Sequence, residues 1–405
     1  MTPQRLTSVV VVGAGVVGLT AAAAIRCAAP RVRVTVIDPN LEKIEMPEAV
    51  GLRVIALTPA SLDVFDTLNV LSRLPEFALT PYRQMRVWDA GVSAGEGIAF
   101  SAPSFGGAGL GAIADVASLQ AALHQSLVAD DGVIFRRAEI VSLEAERDST
   151  VVAMDDGTRI ASTLVVGADG RNSQVRRCLG TELRRWSHHQ WAVVATLRAE
   201  LDHQATALQR FLPTGPLALL PLQDQQTSLV WSTSTEHAQQ LMKMVPSEFA
   251  SAVSAASDHV LGALHPVSPV VGFKLESAYV ADPIGPRTVL IGDAAHAIHP
   301  LAGQGANLGF SDAVALASVI ADAVSERADY GDPPWLRRYR RMRRADNLTT
   351  LFGLDFINRL FARERGALAD LRRRGMRWFG TSSVAKQLAI SHASTMRGTD
   401  QLRHL

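Results

Sequence analysis

The residues best suited to chemistry lie in three glycine-rich segments that are far apart in the chain. The first segment is Gly13-Ala14-Gly15-Val16-Val17-Gly18. In such a GxGxxG pattern the first glycine permits a tight turn, the second lets a pyrophosphate approach the backbone, and the third lets a helix pack closely on a strand. Asp38 lies about 20 residues further on, where an acid can hydrogen-bond a ribose. The pattern predicts a dinucleotide site with these contacts: Gly13, Gly15, Val16, Val17, Gly18 and Asp38.

The second segment, Gly167-Ala168-Asp169-Gly170-Arg171-Asn172-Ser173, follows the apolar run Leu164-Val165-Val166. A short, continuous, β-branched run of this kind is typical of a buried strand. By itself, an Asp-Gly pair after a strand is a common turn. The value of Asp169 as a candidate site residue therefore depends on the other two segments.

The third segment begins with Gly292-Asp293-Ala294-Ala295-His296, directly after the apolar run Val289-Leu290-Ile291. It continues through a glycine-rich stretch, 299–309, and a long helix is predicted from about Phe310. Glycine lets the backbone approach a flat ring closely because no Cβ intervenes, and proline stiffens a loop. The candidate contacts in this segment are Gly292, Asp293, Pro300, Gly303, Gly305, Ala306 and Asn307.

The residues around the first segment predict a strand, a turn and a helix. Val9-Val10-Val11-Val12 precedes the glycines, an alanine-rich run follows them, and residues 32–37 form a second apolar strand. The stretch from Leu6 to Ile25 has no charged residue, so it would also suit a signal peptide or a membrane span. Its division into a β-branched half and an alanine-rich half, with three glycines between them, favours the strand–turn–helix.

Composition and charge argue against several other classes of protein. The chain has 405 residues, 20% of them charged, and a formal net charge of +1. Nucleic-acid binding would need a strongly basic face, for which this balance gives no support. Cys27 and Cys178 cannot form a disulfide framework and have no metal-type spacing. His296 and His299 could form a metal pair, but no third ligand occurs at a suitable spacing, so structural roles are favoured.

With all three segments in this order, the chain resembles the ubiquinone-biosynthesis hydroxylases. This family contains bacterial UbiI, UbiH and UbiF and mitochondrial COQ6, within the para-hydroxybenzoate hydroxylase-like class. The likeness covers most of the chain, and Val87-Trp88-Asp89 and residues 192–198 are more similar to UbiI than to UbiF or UbiH. Residues 53–57 resemble an Arg-x-x-Ala-Leu segment whose arginine, here Arg53, approaches FAD.

The resemblance implies a role for each segment. Asp169 would lie beside the FAD pyrophosphate and the approach route of a nicotinamide dinucleotide. Asp293 would hydrogen-bond the ribityl chain, and the glycine-rich stretch after it would present backbone N–H groups to the isoalloxazine. A helix N-terminus would stabilise the negative charge of the reduced ring at that edge.

The implied enzyme is an FAD-dependent monooxygenase that hydroxylates the aromatic ring of a polyprenylated phenol in ubiquinone biosynthesis. The C5 position is favoured, and oxygen transfer would proceed through a flavin C4a-hydroperoxide. The implied cofactors are non-covalent FAD, O2 as co-substrate, and NAD(P)H or an electron-transfer protein as reductant. No side chain is an obvious general base, so the catalytic acids and bases stay unassigned.

Two positions depart from the family pattern. Gly51 stands where an acid is usual, two residues before Arg53. Residues 110–116 replace the family's Leu-Gly-Tyr/His-Ile-Val-Glu-Asn, so Val116 stands where relatives have asparagine. Because that segment lies near the flavin and the substrate in relatives, we expect retained activity with an altered pocket edge.

The predicted fold is α/β, with a Rossmann-type FAD-binding domain interleaved with an antiparallel β-sheet substrate domain and a helical C-terminal region. The expected FAD-binding segments are 1–80, 106–180 and 284–330. The substrate-domain segments are 81–105 and 181–283, and the helical region is 331–405.

The C-terminal region combines many arginines with aromatic residues. A basic amphipathic segment suits a membrane surface or a protein partner, and an ordinary solvated helix face is the alternative. The arginines are Arg337, Arg338, Arg340, Arg341, Arg343, Arg344, Arg372 to Arg374 and Arg377. The expected partners are a prenylated phenol, other ubiquinone-biosynthesis proteins and a peripheral membrane contact, with no nucleic acid and with a homo-oligomer allowed. We expect a cytoplasmic protein, with the inner membrane face as the site of any peripheral contact, and no cleaved signal.

Three other functions stay open at this level. The chain could be a flavin hydroxylase of a small soluble aromatic that uses NAD(P)H directly. It could be a flavin-dependent reductase that saturates an isoprenoid chain without oxygen. It could also be a non-catalytic scaffold that holds FAD.

Overall fold

The computed structural model describes residues 8–101, 109–298 and 305–361, with side chains up to residue 356. The strands, in chain order, are β1 Ser8–Val12, β2 Arg33–Ile37, β3 Val54–Leu57, β4 Leu79–Tyr82, β5 Gln84–Asp89, β6 Ile98–Ser101, β7 Gly111–Asp115, β8 Val133–Arg136, β9 Ile140–Ala145, β10 Thr150–Met154, β11 Arg159–Ser162, β12 Leu164–Gly167, β13 Leu183–Ala199, β14 Thr206–Leu212, β15 Gly215–Pro221, β16 Gln226–Ser234, β17 Leu264–Pro266, β18 Val271–Val280, β19 Ile284–Gly285, β20 Thr288–Leu290 and β21 His296–Ala297. The helices are α1 Val16–Ala28, α2 Pro59–Thr67, α3 Val116–Val128, α4 Gln174–Cys178, α5 Thr235–Leu241, α6 Pro246–Ala256, α7 Gly305–Ser325 and α8 Pro333–Phe361.

A six-stranded sheet of order β19-β20-β12-β1-β2-β8 forms the first domain. All its neighbours are parallel except β19 and β20. In β1 the side chains alternate between two cores: Val9 and Val11 pack under the helices, and Val10 and Val12 pack against the small β9–β11 sheet. Both faces are therefore covered, which explains the continuous valine run. The predicted strand–turn–helix at the N-terminus is confirmed. Strands β10 and β11 form an antiparallel hairpin.

Helices α1 and α7 pack closely together in the core of this domain. A Cβ added at Gly309 would lie 2.6 Å from Val17 Cγ2, so the glycine allows the two helices to approach. Helix α7 begins at Gly305, whereas the sequence predicted a start near Phe310. Among the described helices, α7 is the one long and apolar enough to cross a membrane, and 78% of its apolar window is buried inside the protein.

A nine-stranded sheet forms the second domain, with β17 paired to β13 and the other strands in the order β21-β18-β13-β16-β15-β14-β5-β6. Helices α5 and α6 cover one face of this sheet and bury a core that includes Trp88, Leu229 and Phe249. The predicted antiparallel sheet is confirmed, and it contains one parallel pair, β5 with β14. The reason is that β5 enters the sheet from the first domain and not through a hairpin with β14.

A small antiparallel sheet of order β3-β7-β4, whose Leu57 and Ala114 pack in the core of the first domain, was not predicted. It requires Gly111, whose φ is +148° and where an added Cβ would lie 2.2 Å from Leu57 O. The chain enters the second sheet at Leu183 and leaves β18 at Val280, and it returns to the first sheet at Ile284. The domain boundaries themselves stay predictions. In the C-terminal region, α8 is helical, and Arg372 to Arg374 and Arg377 lie outside the described residues.

Candidate active site

The three glycine-rich segments meet at one edge of the six-stranded sheet. They follow β1, β12 and β20, which are adjacent in the sheet and parallel, so their carboxyl ends lie side by side. In open α/β sheets this edge is where ligands bind. A cavity of about 2480 Å³ opens there and extends to the nine-stranded sheet. The predicted site residues that line it are Gly13, Gly15, Val16, Val17, Asp38, Arg53, Asp169, Asp293, Gly305 and Ala306.

The three glycines of the first segment have different physical roles. A Cβ at Gly13, where φ is +107°, would lie 2.4 Å from Ala168 O, and a Cβ at Gly18 would lie 2.0 Å from Gly13 O. At these two positions the protein's own backbone leaves no room for a side chain. A Cβ at Gly15 would meet no described atom within 4 Å. Gly15 thus exposes backbone to the cavity at the start of α1, where no side chain caps the helix. Uncapped N–H groups at a helix N-terminus are suited to bind an anion.

Asp38 fixes the turn from the far end of β2. Its Oδ2 accepts a hydrogen bond from Ala14 N at 2.9 Å, and its Oδ1 accepts one from Asn40 N at 2.7 Å. Gln120 of α3 holds the same turn, since its Nε2 donates to Ala14 O at 2.7 Å. Gln120 also lines the cavity. The sequence contained no signal for Gln120, because its role depends on α3 packing beside α1.

Asp169 has one carboxylate oxygen committed to the protein and one without a partner. Its Oδ2 accepts hydrogen bonds from Gln174 N at 2.6 Å and Val175 N at 3.0 Å, which closes the loop onto α4. Its Oδ1 is buried and has no hydrogen-bond partner among the described residues. Buried carboxylate oxygens are ordinarily satisfied. A hydroxyl-bearing ligand in the cavity would supply the missing donor.

Arg176 joins the second segment to the third. Its Nη1 donates to Ala294 O at 2.8 Å and its Nη2 donates to Arg171 O at 2.7 Å. Burial lowers the pKa of Arg176 from its usual value, although an arginine stays charged at any physiological pH. At the rim, Arg171 Nε lies 3.3 Å from Asp293 Oδ2, and both side chains remain partly exposed to solvent. Asp293 therefore keeps access to the cavity.

A buried charge network supports the third segment from behind. Asp312 Oδ2 accepts hydrogen bonds from Gly292 N at 3.1 Å and lies 2.6 Å from His296 Nε2, while its Oδ1 accepts one from Arg343 Nε at 2.8 Å. Asp312 is fully buried. Burial would raise the pKa of Asp312, but the opposing effect of His296 and Arg343 dominates and holds that pKa well below its usual range. Gly292 has φ of +56°, so the network fixes a left-handed turn beside the cavity.

This network accounts for one histidine of the pair considered for a metal. His296 is bound to Asp312, and His299 lies outside the described residues. Within the described ranges, no group of three or more His, Cys, Asp or Glu side chains is arranged to hold a metal ion.

Five predicted site residues are not placed against the cavity. Gly18 and Gly292 pack within the protein, and Pro300 and Gly303 lie outside the described residues. Asn307 turns its side chain away from the cavity: Oδ1 accepts from Ser61 Oγ at 2.6 Å, and Nδ2 donates to Ala56 O at 2.8 Å. These hydrogen bonds of Asn307 hold the start of α7 against β3 and α2. Any contact of Asn307 with a cofactor stays a prediction.

The structure explains the departure from the family pattern at Gly51 and locates the one at Val116. Gly51 N donates to Asp115 Oδ1 at 2.9 Å, and a Cβ at Gly51 would lie 3.1 Å from the same oxygen. An acid at position 51 would therefore bring a second carboxylate towards Asp115, which already caps α3 through Ser118 N. Val116 begins α3 and lines the cavity next to Arg53, whose carbonyl accepts a hydrogen bond from Val116 N.

The charged and polar end of the cavity fits FAD. Gly15 and the uncapped α1 offer close backbone approach to a pyrophosphate, and the guanidinium of Arg53 has no hydrogen bond or ion pair with the described residues. Asp38 lines the cavity, with a ribose contact as its predicted role, and Asp169 Oδ1 has no donor among the described residues. The features match an anionic dinucleotide better than they match a small anion.

Sequence comparison supports the same assignment. A sequence profile of the family described as FAD binding domain matches residues 6–347. The chain is 32% identical to the ubiquinone biosynthesis monooxygenase COQ6 of Xenopus tropicalis, over 86% of this chain and 84% of that protein. The chain belongs to the family of FAD-dependent ubiquinone-biosynthesis monooxygenases. A second relative in the family, the 3-demethoxyubiquinol 3-hydroxylase of Escherichia coli strain K12, is 31% identical over 96% of this chain and 98% of the relative.

Structure comparison identifies the fold of these FAD-dependent monooxygenases. The p-nitrophenol 4-monooxygenase PnpA of Pseudomonas putida DLL-E4 superposes with a TM-score of 0.77, at 17% identity, over 97% of this chain and 99% of that chain. The predicted family, the α/β fold class and the FAD cofactor are confirmed. The roles of individual residues in binding FAD stay predictions.

Proposed function

We propose that this FAD-dependent monooxygenase hydroxylates the aromatic ring of a polyprenylated phenol in ubiquinone biosynthesis, with the C5 position favoured. O2 is the proposed co-substrate, and NAD(P)H or an electron-transfer protein is the proposed reductant. The observation that carries the proposal is the continuity of the cavity, because one space joins the polar FAD end to an apolar wall formed by the nine-stranded sheet.

The apolar wall suits a ring with a long hydrocarbon tail. Met85, Phe100, Leu220 and Val230 are among the side chains that line it. At the outer end, Phe273 of β18 lines the cavity while 43% exposed. Burial of hydrocarbon stabilises binding by about 0.8 kcal/mol per CH₂, so a prenyl tail along this wall would contribute strongly to affinity.

The residues of the chain bind, orient and shield, while FAD supplies the redox and oxygen-transfer chemistry when bound. Gly15 and α1 hold the anionic end of the cofactor, and Asp169 accepts a hydroxyl hydrogen bond there. The sheet wall excludes water from the reacting ring, which limits loss of oxidising equivalents as hydrogen peroxide. Burial raises the pKa of Tyr82 to about 12, so its phenol stays neutral and can donate a hydrogen bond in the cavity.

A peripheral membrane contact through α8 is part of the proposal. Three of its arginines are used inside the protein: Arg338 pairs with Asp322, Arg340 with Asp282 and Arg343 with Asp312. The exposed stripe, defined here as Arg337, Arg341, Arg344, Phe352 and Phe356, follows helical spacing. Its arginines have no ion pair among the described residues, and Phe352 and Phe356 are 49% and 65% exposed. Cations beside exposed aromatic rings suit an anionic lipid surface.

Vesicle flotation tests this contact. Replacement of the three stripe arginines with glutamine should release the protein from vesicles of 30% anionic lipid, because each arginine near such a surface contributes about 1 kcal/mol. The matched control replaces three exposed arginines elsewhere, Arg31, Arg33 and Arg73, and should retain binding. An equal loss of vesicle binding in both triple variants would indicate a general charge effect and would refute a specific role for the exposed stripe.

The reaction is tested with purified holoenzyme, a chemical or enzymatic reductant and 2-geranylphenol under ¹⁸O₂. The expected product carries one ¹⁸O on the aromatic ring, and mass spectrometry with NMR locates the position. Rapid NADPH oxidation triggered by a small soluble phenol, without turnover of the prenylated phenol, would favour the soluble-aromatic alternative. Undiminished turnover without oxygen would favour a reductase, and a bound flavin that cannot be reduced would favour a scaffold.

A further inference from the structure

One transverse row of the nine-stranded sheet forms a continuous strip of the cavity wall. Strand pairing places these residues side by side across seven strands. The cavity row consists of Ile98, Val87, Gln209, Ala218, Val230, Val194 and Val271, all of which line the cavity. Six members are apolar. Gln209 is the single polar side chain of the row.

The side chain of Gln209 faces the cavity, because its neighbours along β14 face the other way. Leu208 belongs to the core beneath α5 and α6. Arg210 Nη1 donates to Ala256 O at 3.0 Å, at the end of α6. Side chains alternate between the faces of a sheet, so Gln209, between these two, projects from the opposite face.

The amide of Gln209 is open to the cavity and is not hydrogen-bonded to the described residues. The residue as a whole is 7% exposed. A glutamine amide carries two N–H donors and a carbonyl acceptor, and such groups are ordinarily paired when buried. The apolar neighbours Val87 and Ala218 offer neither donor nor acceptor through their side chains. The amide is therefore available to a polar group of whatever the cavity binds.

We propose that Gln209 hydrogen-bonds an oxygen substituent on the aromatic ring of the substrate, and that this contact decides which ring carbon is presented for hydroxylation. This inference rests on the proposed function. An amide can accept from a phenolic O–H and donate to a ring oxygen, whereas the rest of the cavity row recognises only hydrocarbon. A single directional contact in an apolar wall fixes rotation of the ring about its own axis, which apolar packing alone leaves free.

The test compares two ligands that differ by one oxygen, 2-geranylphenol and geranylbenzene, titrated into the holoenzyme by the change in flavin absorbance. Gln209→Met preserves side-chain length and removes the amide. We expect about a tenfold weaker affinity for 2-geranylphenol and unchanged affinity for geranylbenzene, as loss of one buried hydrogen bond predicts. Product analysis of the same variant should show a mixture of hydroxylated positions. Val87→Leu, which changes the shape of the same row without changing its polarity, should alter both affinities by a similar factor.

Equal weakening of both ligands by Gln209→Met would show that Gln209 only packs, and would overturn the proposal. The unmutated holoenzyme gives a second measurement that needs no variant to fold. It should bind 2-geranylphenol about tenfold more tightly than geranylbenzene, and equal affinities would also overturn the proposal. Failure of the wild-type enzyme to bind either ligand would instead refute the proposed substrate class, and this inference with it.

Discussion

Exchange of single glycines for alanine should separate cofactor binding from folding. At Gly15 the backbone has φ of −68° and ψ of 170°, which alanine adopts freely, and an added Cβ would meet no described atom within 4 Å. At Gly18 an added Cβ would lie 2.0 Å from Gly13 O, a backbone atom that cannot rotate away. The added methyl group therefore points into the cavity in Gly15→Ala and towards the protein backbone in Gly18→Ala.

The magnitudes follow from these geometries. For Gly15→Ala, loss of an N-terminal cap preference costs roughly 0.5–1 kcal/mol, and the reduced entropy of the unfolded chain offsets about 0.4–1 kcal/mol, so the apoprotein should change little. For Gly18→Ala, overpacking costs up to about 3 kcal/mol and helix propensity returns about 1 kcal/mol, which leaves roughly 2 kcal/mol of destabilisation. Overpacking against the cofactor of about 1–3 kcal/mol should raise the FAD dissociation constant of Gly15→Ala about tenfold to a hundredfold.

The assay measures thermal unfolding of each apoprotein and FAD binding by quenching of flavin fluorescence. Gly15→Ala should unfold at the wild-type temperature and bind FAD weakly. Gly18→Ala should unfold about 4–8 °C lower, at about 2–4 °C for each kcal/mol in domains of this size. If the Gly15→Ala apoprotein lost as much stability as Gly18→Ala, or bound FAD as tightly as the wild type, the assignment of Gly15 to the cofactor would be refuted.

Two further predictions concern the supports of the site. Asp312→Asn should lower the free energy of unfolding by about 3–5 kcal/mol, because it removes the fully buried counter-charge of Arg343 and leaves only the partly exposed Asp346. The pKa of Asp312 is depressed in the folded protein, so its contribution is present above the unfolded value of about 3.9 and is lost as the pH falls. In urea unfolding, the difference in free energy of unfolding between wild type and Asp312→Asn should therefore become smaller from pH 6 to pH 3. A difference that stayed constant over this range would contradict this reasoning. Gly111→Ala should destabilise the protein by about 1–3 kcal/mol, since its Cβ would lie 2.2 Å from Leu57 O, whereas Gly157→Ala shares a positive φ without a close neighbour and serves as the control for backbone strain alone.

The features that the sequence predicted are those set by local pattern. One stretch of chain contains the valine run of β1, the glycines after it and the alanine-rich α1. Each of these patterns predicts the element that it forms without information from the rest of the chain. The adjacency of the three glycine-rich segments was also predictable, because each follows a short buried strand and parallel strands end at a common edge.

The features that the sequence could not predict depend on pairing across long separations. The parallel contact of β5 with β14 joins residues that are far apart in the chain, and the β3-β7-β4 sheet joins three short strands with no distinctive pattern. Asn307 was expected at the cofactor because it lies in the glycine-rich segment. Its side chain hydrogen-bonds Ser61 Oγ and Ala56 O, which only the packing of α7 against α2 and β3 reveals, and its contact with the cofactor stays a prediction.

Helix α8 joins the exposed stripe on the protein surface to the turn at Gly292. Arg343 on its buried face binds Asp312, which holds the left-handed turn at Gly292 through a backbone hydrogen bond. About three turns further along the helix, Leu354 lines the cavity and Phe352 and Phe356 are exposed. A membrane that binds the exposed stripe, as proposed above, would therefore act on the same helix that supports the turn at Gly292 and borders the apolar wall. Under that proposal, substrate delivery and support of the cavity would share one helix, which combines buried charge with exposed aromatic side chains.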